Sequence, residues 1–128
     1  MFTKSNSVCD FRITRSMEQR RSDNDRMQKF YPNSIQVVLQ SKSIFLDRSK
    51  YLVPNNLTIG QFLFYLRQKI SVNTNKGLYL FVEQIDKDEK TMSTYLPQTG
   101  NTLEMVYTNW RHIDGYLYMF IEQESTFG

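Results

Sequence analysis

Residues 46–62 read Leu46-Asp-Arg-Ser-Lys-Tyr-Leu-Val-Pro-Asn-Asn-Leu-Thr-Ile-Gly-Gln-Phe62. Lys50 to Val53 reads as a strand, and Pro54-Asn-Asn stops it, because proline has no N–H for a ladder and asparagine favours turns. Thr58 and Gln61 have the spacing of a capping box, in which each side chain satisfies a free backbone N–H of the other. They open a helix expected from Thr58 to about Ile70. Ile59, Phe62, Leu63, Leu66 and Ile70 recur at helical spacing and form one apolar stripe suited to packing across a sheet. Tyr65 borders that stripe, while Arg67, Gln68 and Lys69 face water.

Upstream, Ser34 to Gln40 alternates as a strand does. Ile35, Val37 and Leu39 share one face; Gln36, Val38 and Gln40 share the other. Val38 is therefore an apolar residue on a polar face, and Lys50 to Val53 likewise carries apolar groups on both faces. A sheet partly apolar on both sides needs two covers. One can come from the N-terminal side, where Ser16 and Gln19 form a second capping box ahead of a helix running to about Phe30. Tyr31-Pro32 ends it, since proline disfavours a helical residue before it. The helix is thin in apolar residues (Met17, Met27, Phe30) and cannot stand alone.

Downstream, Leu78 to Val82 is apolar on both faces, the mark of a central strand. Residues 83–104 are polar, with a charged tip at Asp86-Lys-Asp-Glu-Lys90, and read as a surface loop or hairpin with a short helix near Thr102 to Tyr107. Tyr116 to Ile121 is the last strand. The order strand, strand, helix, strand, strand is that of the ubiquitin β-grasp. The expected class is thus α+β: a four-stranded mixed sheet with a crossing helix, its first and last strands side by side in the centre, preceded by N-terminal helices. The expected organisation is a flexible leader at 1–10, a helical subdomain at 11–32, the β-grasp domain at 33–121 and a flexible tail at 122–128.

Composition bounds the function. A chain of 128 residues holds one ordinary domain. The excess charge of +3 lies wholly within residues 1–31, where seven basic groups face four acidic ones. A basic leader suits a membrane surface, nucleic acid or an acidic partner without choosing among them. No apolar run approaches the roughly 20 residues that span a bilayer, and no signal-peptide pattern opens the chain, which reads as cytoplasmic. Cys9 and His112 are the sole cysteine and histidine. One of each is too few for an ordinary zinc site. Paired carboxylates, a phosphate-cradling glycine loop and a triad are all missing from the pattern, so the chain is not expected to be an enzyme.

Three segments together carry a resemblance. Residues 46–62, with their Lys50-Tyr-Leu-Val-Pro54 block, resemble the second strand and following helix of the autophagy ubiquitin-like modifiers, the GABA receptor-associated protein and microtubule-associated light chain type. Arg20-Arg-Ser22 with Tyr31-Pro32 is similar to that family's second N-terminal helix and its exit. Asp114-Gly-Tyr-Leu-Tyr118 with Ser125-Thr-Phe-Gly128 resembles its last strand and processed tail. The chain departs from the pattern in a shorter loop at Ser41 to Phe45 and a longer segment around Asp86 to Tyr95. Ser34 and Gln36 replace the usual arginine and proline, and the leader is longer.

The resemblance implies conjugation of the Gly128 carboxylate to the amine of phosphatidylethanolamine. Glycine lacks a Cβ to hinder attack, and a flexible tail gives reach. No prenylation box or myristoylation start competes as a lipid signal. It further implies a groove for short peptides carrying an aromatic residue and, three positions on, an aliphatic one. Lys50 to Val53 would be the edge strand that such a peptide extends. By position, the aromatic pocket would draw on Asp23, Met27, Val38, Lys50, Leu52 and Tyr116, and the aliphatic pocket on Tyr51, Val53, Pro54, Leu57, Phe62 and Tyr65. Arg48 and Lys50 would attract acidic flanks.

The implied partners are the activating and conjugating enzymes of the lipidation pathway, a deconjugating cysteine protease, cargo receptors and adaptors with such motifs, and the membrane through the lipid. No cofactor and no specific nucleic acid are expected. The implied location is cytoplasmic, with a lipidated pool on autophagosomal membranes. Two other readings stand beside this one: a sister modifier conjugated to a protein lysine, and a non-conjugated basic module for RNA or microtubules.

Overall fold

The computed structural model describes residues 10–70 and 75–124. Expectations placed on the leader before Asp10 and on Ser125 to Gly128 lie outside the described residues. The elements are α1 (Asp10–Thr14), α2 (Met17–Phe30), β1 (Ser34–Gln40), β2 (Lys50–Pro54) and α3 (Ile59–Lys69), followed by β3 (Leu78–Ile85), β4 (Met92–Tyr95), α4 (Leu103–Trp110) and β5 (Leu117–Gln123). Both capping boxes form. The Ser16 hydroxyl accepts from the Gln19 N–H while Gln19 Oε1 accepts from the Ser16 N–H. Thr58 and Gln61 repeat the exchange at α3. Thr102 caps α4.

One sheet runs in the order β2-β1-β5-β3-β4. β1 and β5 are parallel neighbours in its middle, and the other pairs are antiparallel. This is the ubiquitin-like arrangement, with α3 across one face. The sheet has five strands where four were expected. β3 continues to Ile85 and turns back as β4, pairing Val82 with Tyr95 and Ile85 with Met92. The polar segment is therefore a hairpin that widens the sheet. At the other end β5 runs to Gln123, so Glu122 and Gln123 belong to the sheet and not to a tail beginning at 122. Glu122 is held there by the N–H groups of Lys42 and Ser43 and the hydroxyls of Ser41 and Ser43.

The face under α3 buries Ile35, Val37, Leu39, Tyr51, Val53, Phe62, Leu66, Leu80, Val82, Leu117, Met119 and Ile121. The opposite face holds a smaller cluster of Phe11, Val38, Tyr116 and Tyr118 beneath the N-terminal helices. Two covers for a two-faced sheet are thus present. The second is largely polar. The fully buried residues of α2 are Arg20 and Asn24, with Asn24 Oδ1 accepting from Gln36 Nε2 at 3.0 Å.

Candidate peptide-binding site

Among the described residues β2 pairs only with β1 and forms one edge of the sheet. Its outer rank of N–H and C=O groups is open to a further strand. Successive side chains of a strand point to opposite faces, and the register Val38↔Lys50, Gln36↔Leu52, Val37↔Tyr51, Ile35↔Val53 assigns them. Lys50 and Leu52 go to the side of α2; Tyr51 and Val53 go to the side of α3. One edge therefore presents side chains to both faces of the sheet.

On the α3 side, Tyr51, Val53, Pro54, Leu57, Phe62 and Tyr65 come together with Arg48 and Leu52 around a cavity of about 220 Å³. All six residues expected of the aliphatic pocket share this space. Its floor belongs to the core: Phe62 is 1% exposed and meets Tyr51 edge-on at 6.3 Å. Its rim is accessible, with Leu52 and Tyr65 about two-fifths exposed. Arg48 lies 5.5 Å from the Tyr51 ring centroid, a cation beside an apolar mouth. Burial pushes the Tyr51 phenol upward, against the opposing charge of Arg48.

On the α2 side the six expected residues fall into two levels. Val38 and Tyr116 are fully buried and make a floor. Lys50 and Leu52 stand exposed on β2, while Asp23 and Met27 are half-buried on α2 opposite. Lys50 Nζ sits 5.6 Å from the centroid of Tyr116. Partial burial lowers its pKa; Asp23 pulls it back up, while Arg15 and Arg26 push it further down.

Two residues here escaped the sequence reading. Phe11 of α1 packs edge-on against Tyr116 at 4.9 Å, and Lys50 Nζ lies 5.7 Å from its centroid as well. Arg15 covers the same ring at 4.6 Å. The chain's own Phe11 thus packs against Tyr116 where the aromatic pocket was expected, with two cations near its ring. A lone Phe in a polar leader gives no periodic signal from which to infer this.

A second constellation was also missed. Arg20 donates from Nη1 to Asp114 Oδ2 at 2.7 Å and, two-pronged, to Glu89 at 2.9 and 3.0 Å. Tyr118 Oη donates to Asp114 Oδ2 at 2.6 Å, and His112 Nε2 meets Glu89 Oε2 at 2.6 Å. A carboxylate only accepts, so that imidazole nitrogen carries the hydrogen. Donor atoms of Glu89, His112 and Asp114 lie within 4.8 Å of one another, as in a metal site. The Arg20 guanidinium already occupies the position between the two carboxylates, and its charge takes the place of an ion. Arg20 of the Arg20-Arg-Ser22 motif is consequently a buried structural residue. Gly128 lies outside the described residues, and among those described no helix is long and apolar enough to cross a membrane.

Known proteins share this architecture and sequence. The family model for the autophagy protein Atg8, ubiquitin-like, matches residues 19–128. Autophagy-related protein 8e of Arabidopsis thaliana is 32% identical, with 92% of each chain covered. Autophagy-related protein 8 of Schizosaccharomyces pombe is also 32% identical, with 88% of each covered. The crystal structure of Trypanosoma brucei ATG8 superposes with a TM-score of 0.76 at 26% identity, covering 94% of this chain and 98% of that one. The two-faced sheet, the capped crossing helix and these matches agree: the chain belongs to the Atg8 family of ubiquitin-like autophagy proteins.

Proposed function

We propose that this chain is a lipid-conjugated modifier that recruits partners at the β2 edge. The Gly128 carboxylate is passed by activating and conjugating enzymes to the amine of phosphatidylethanolamine, and a cysteine protease reverses the bond. Two acyl chains, at about 0.8 kcal/mol per buried CH₂, supply the stable anchoring that one chain does not. The lipidated pool resides on autophagosomal membranes. At the edge of β2, an extended peptide adds as a strand, places an aromatic side chain over Val38 and Tyr116, and places an aliphatic one in the Tyr51–Phe62–Tyr65 cavity. Acidic flanks of the peptide meet Arg48 and Lys50. Two small pockets and a short strand correspond to micromolar affinity, about −8 kcal/mol.

The observation that carries this reading is the division of β2 side chains between the two faces of the sheet, with a cavity on the α3 side, beside a strand edge that is unpaired among the described residues. The decisive experiment exposes the purified chain to its activating and conjugating enzymes with liposomes containing phosphatidylethanolamine, and weighs the product. A mass increase equal to the lipid less one water supports the anchor; an adduct on a protein lysine instead identifies a sister modifier. For the groove, an aromatic-x-x-aliphatic peptide is titrated against the wild-type chain. Binding of RNA in place of the peptide, abolished by deletion of residues 1–31 and falling steeply with salt, would instead identify a polyanion-binding module.

A further inference from the structure

The hairpin tip at Asp86–Thr91 is closed by its own backbone bonds, Asp86 N–H to Thr91 O and Glu89 N–H to Asp86 O. Within it Glu89 takes φ = 60°, a left-handed conformation that glycine or asparagine adopts at lower cost. An acidic residue held there invites a functional explanation. Its side chain does not join the charged surface of the tip. It reaches back to Arg20, 69 residues earlier in the chain, in a two-pronged bond, and to His112. The groups facing it are Arg20 of α2, His112 from the turn after α4, Asp114 of the turn before β5, and Tyr118 of β5. Arg12 of α1 and Glu83 of β3 form a neighbouring pair at 3.9 Å. Arg20 is 2% exposed and Asp114 is fully buried, whereas Glu89 retains 24%.

α2 has little apolar surface in the core. Its attachments include the Arg20 cluster, the Asn24–Gln36 bond, the bond from Gln28 Nε2 to the Ser34 carbonyl and a long bond from Arg21 Nη2 to the Ile113 carbonyl. A helix held by a few polar bonds is drawn from the low end of local stability. We propose that Glu89 is a positioning residue: the β3–β4 hairpin acts as a clasp that holds α2 on the sheet, and with it Asp23 and Met27, the α2 wall of the aromatic pocket. The consequence for peptide binding rests on the groove reading; the clasp itself does not.

Burial alone would raise the Glu89 carboxyl, but the hydrogen bonds from Arg20 and His112 outweigh it and hold the group below its ordinary value. Protonating Glu89 by acid and replacing it by glutamine therefore remove the same charge. The comparison with the Glu89→Gln chain, in which every other group is unchanged, isolates the carboxylate.

The test is amide hydrogen exchange, read residue by residue by NMR on the full chain. Glu89→Gln should speed exchange of α2 amides at least tenfold and leave α3 amides within twofold. Wild type should approach that pattern as pH falls through the lowered Glu89 value, after correction for intrinsic exchange, while the variant stays flat. Glu89→Gly, which relieves the backbone conformation, should open α2 equally without lowering the denaturation midpoint. Unchanged α2 exchange, or equal acceleration in α2 and α3, overturns the clasp. Peptide affinity measured alongside should fall at least threefold in Glu89→Gln. A wild-type chain that binds no such peptide defeats the groove reading, and the exchange result still decides the clasp.

Discussion

Gly115 and Asn24 are packed so closely that no Cβ fits between them. The hydrogen-bearing face of Gly115 is turned to the Asn24 amide, and an added methyl would also lie 2.8 Å from Asn24 Cγ. The glycine has φ = 93°, in the region that L side chains avoid. It stands at the turn into β5, where its N–H reaches His112 O and its carbonyl accepts from the Tyr107 hydroxyl. The asparagine is engaged with Gln36 and cannot swing away without breaking that bond.

Gly115→Ala should therefore destabilise the chain by about 3 kcal/mol, combining backbone and overpacking costs. Adding Asn24→Ala should recover part of that loss, because the clash partner shrinks. Urea unfolding midpoints of the two single variants and the double variant check the non-additivity.

Core and groove can be separated at two leucines. Leu66 is fully buried and Leu52 is 41% exposed. Leu66→Ala should cost about 2–5 kcal/mol in stability. Leu52→Ala should change stability by less than about 0.5 kcal/mol, yet weaken an aromatic-x-x-aliphatic peptide at least tenfold, about 1.4 kcal/mol. Denaturation paired with isothermal titration distinguishes them; equal peptide affinity in wild type and Leu52→Ala would remove the groove.

Charge at the mouth should act on acidic flanks. Arg48→Glu combined with Lys50→Glu should weaken a peptide with acidic residues beside its motif at least tenfold. Wild-type affinity should fall as salt rises, and the charge-reversed chain should lose that dependence, because exposed charges are screened within about 10 Å at 0.1 M salt.

Alkaline pH should expose the second cluster. Burial, with the nearby charges of Asp23 and Asp114, pushes the Tyr116 phenol up to about 12. Burial and the Asp114 carboxylate push Tyr118 still higher. Folded protein keeps these protons after unfolded protein has lost them. The stability they lend is complete below pH 10 and drains as pH rises, by about 1.4 kcal/mol per unit for each tyrosine. Phenolate absorbance should show two of the eight tyrosines ionising only on unfolding, and Tyr116→Phe should shallow the pH slope.

Much of the fold was legible because it is written in short-range spacing. Ser16 with Gln19 and Thr58 with Gln61 are local pairs whose geometry follows once a helix starts. The stripe of Ile59, Phe62 and Leu66 and the alternation of Ile35, Val37 and Leu39 assign faces for the same reason. Those faces in turn distributed Tyr51 and Val53 to one side of β2 and Leu52 to the other.

What the sequence could not settle is whatever depends on partners far along the chain. β4 has four mostly exposed residues and exists because β3 extends to meet it. Phe11 acquires meaning only when α1 lies over Tyr116. Glu89 sits in a run of charges that reads as a solvated tip, until the folded chain brings Arg20 and His112 to it. By itself the sequence determined most of the helices and the strands β1, β2, β3 and β5, and which way their apolar groups point, because those depend on neighbours within a few residues. Tertiary structure alone decided which charges are buried together, because burial is set by the closure of the whole sheet.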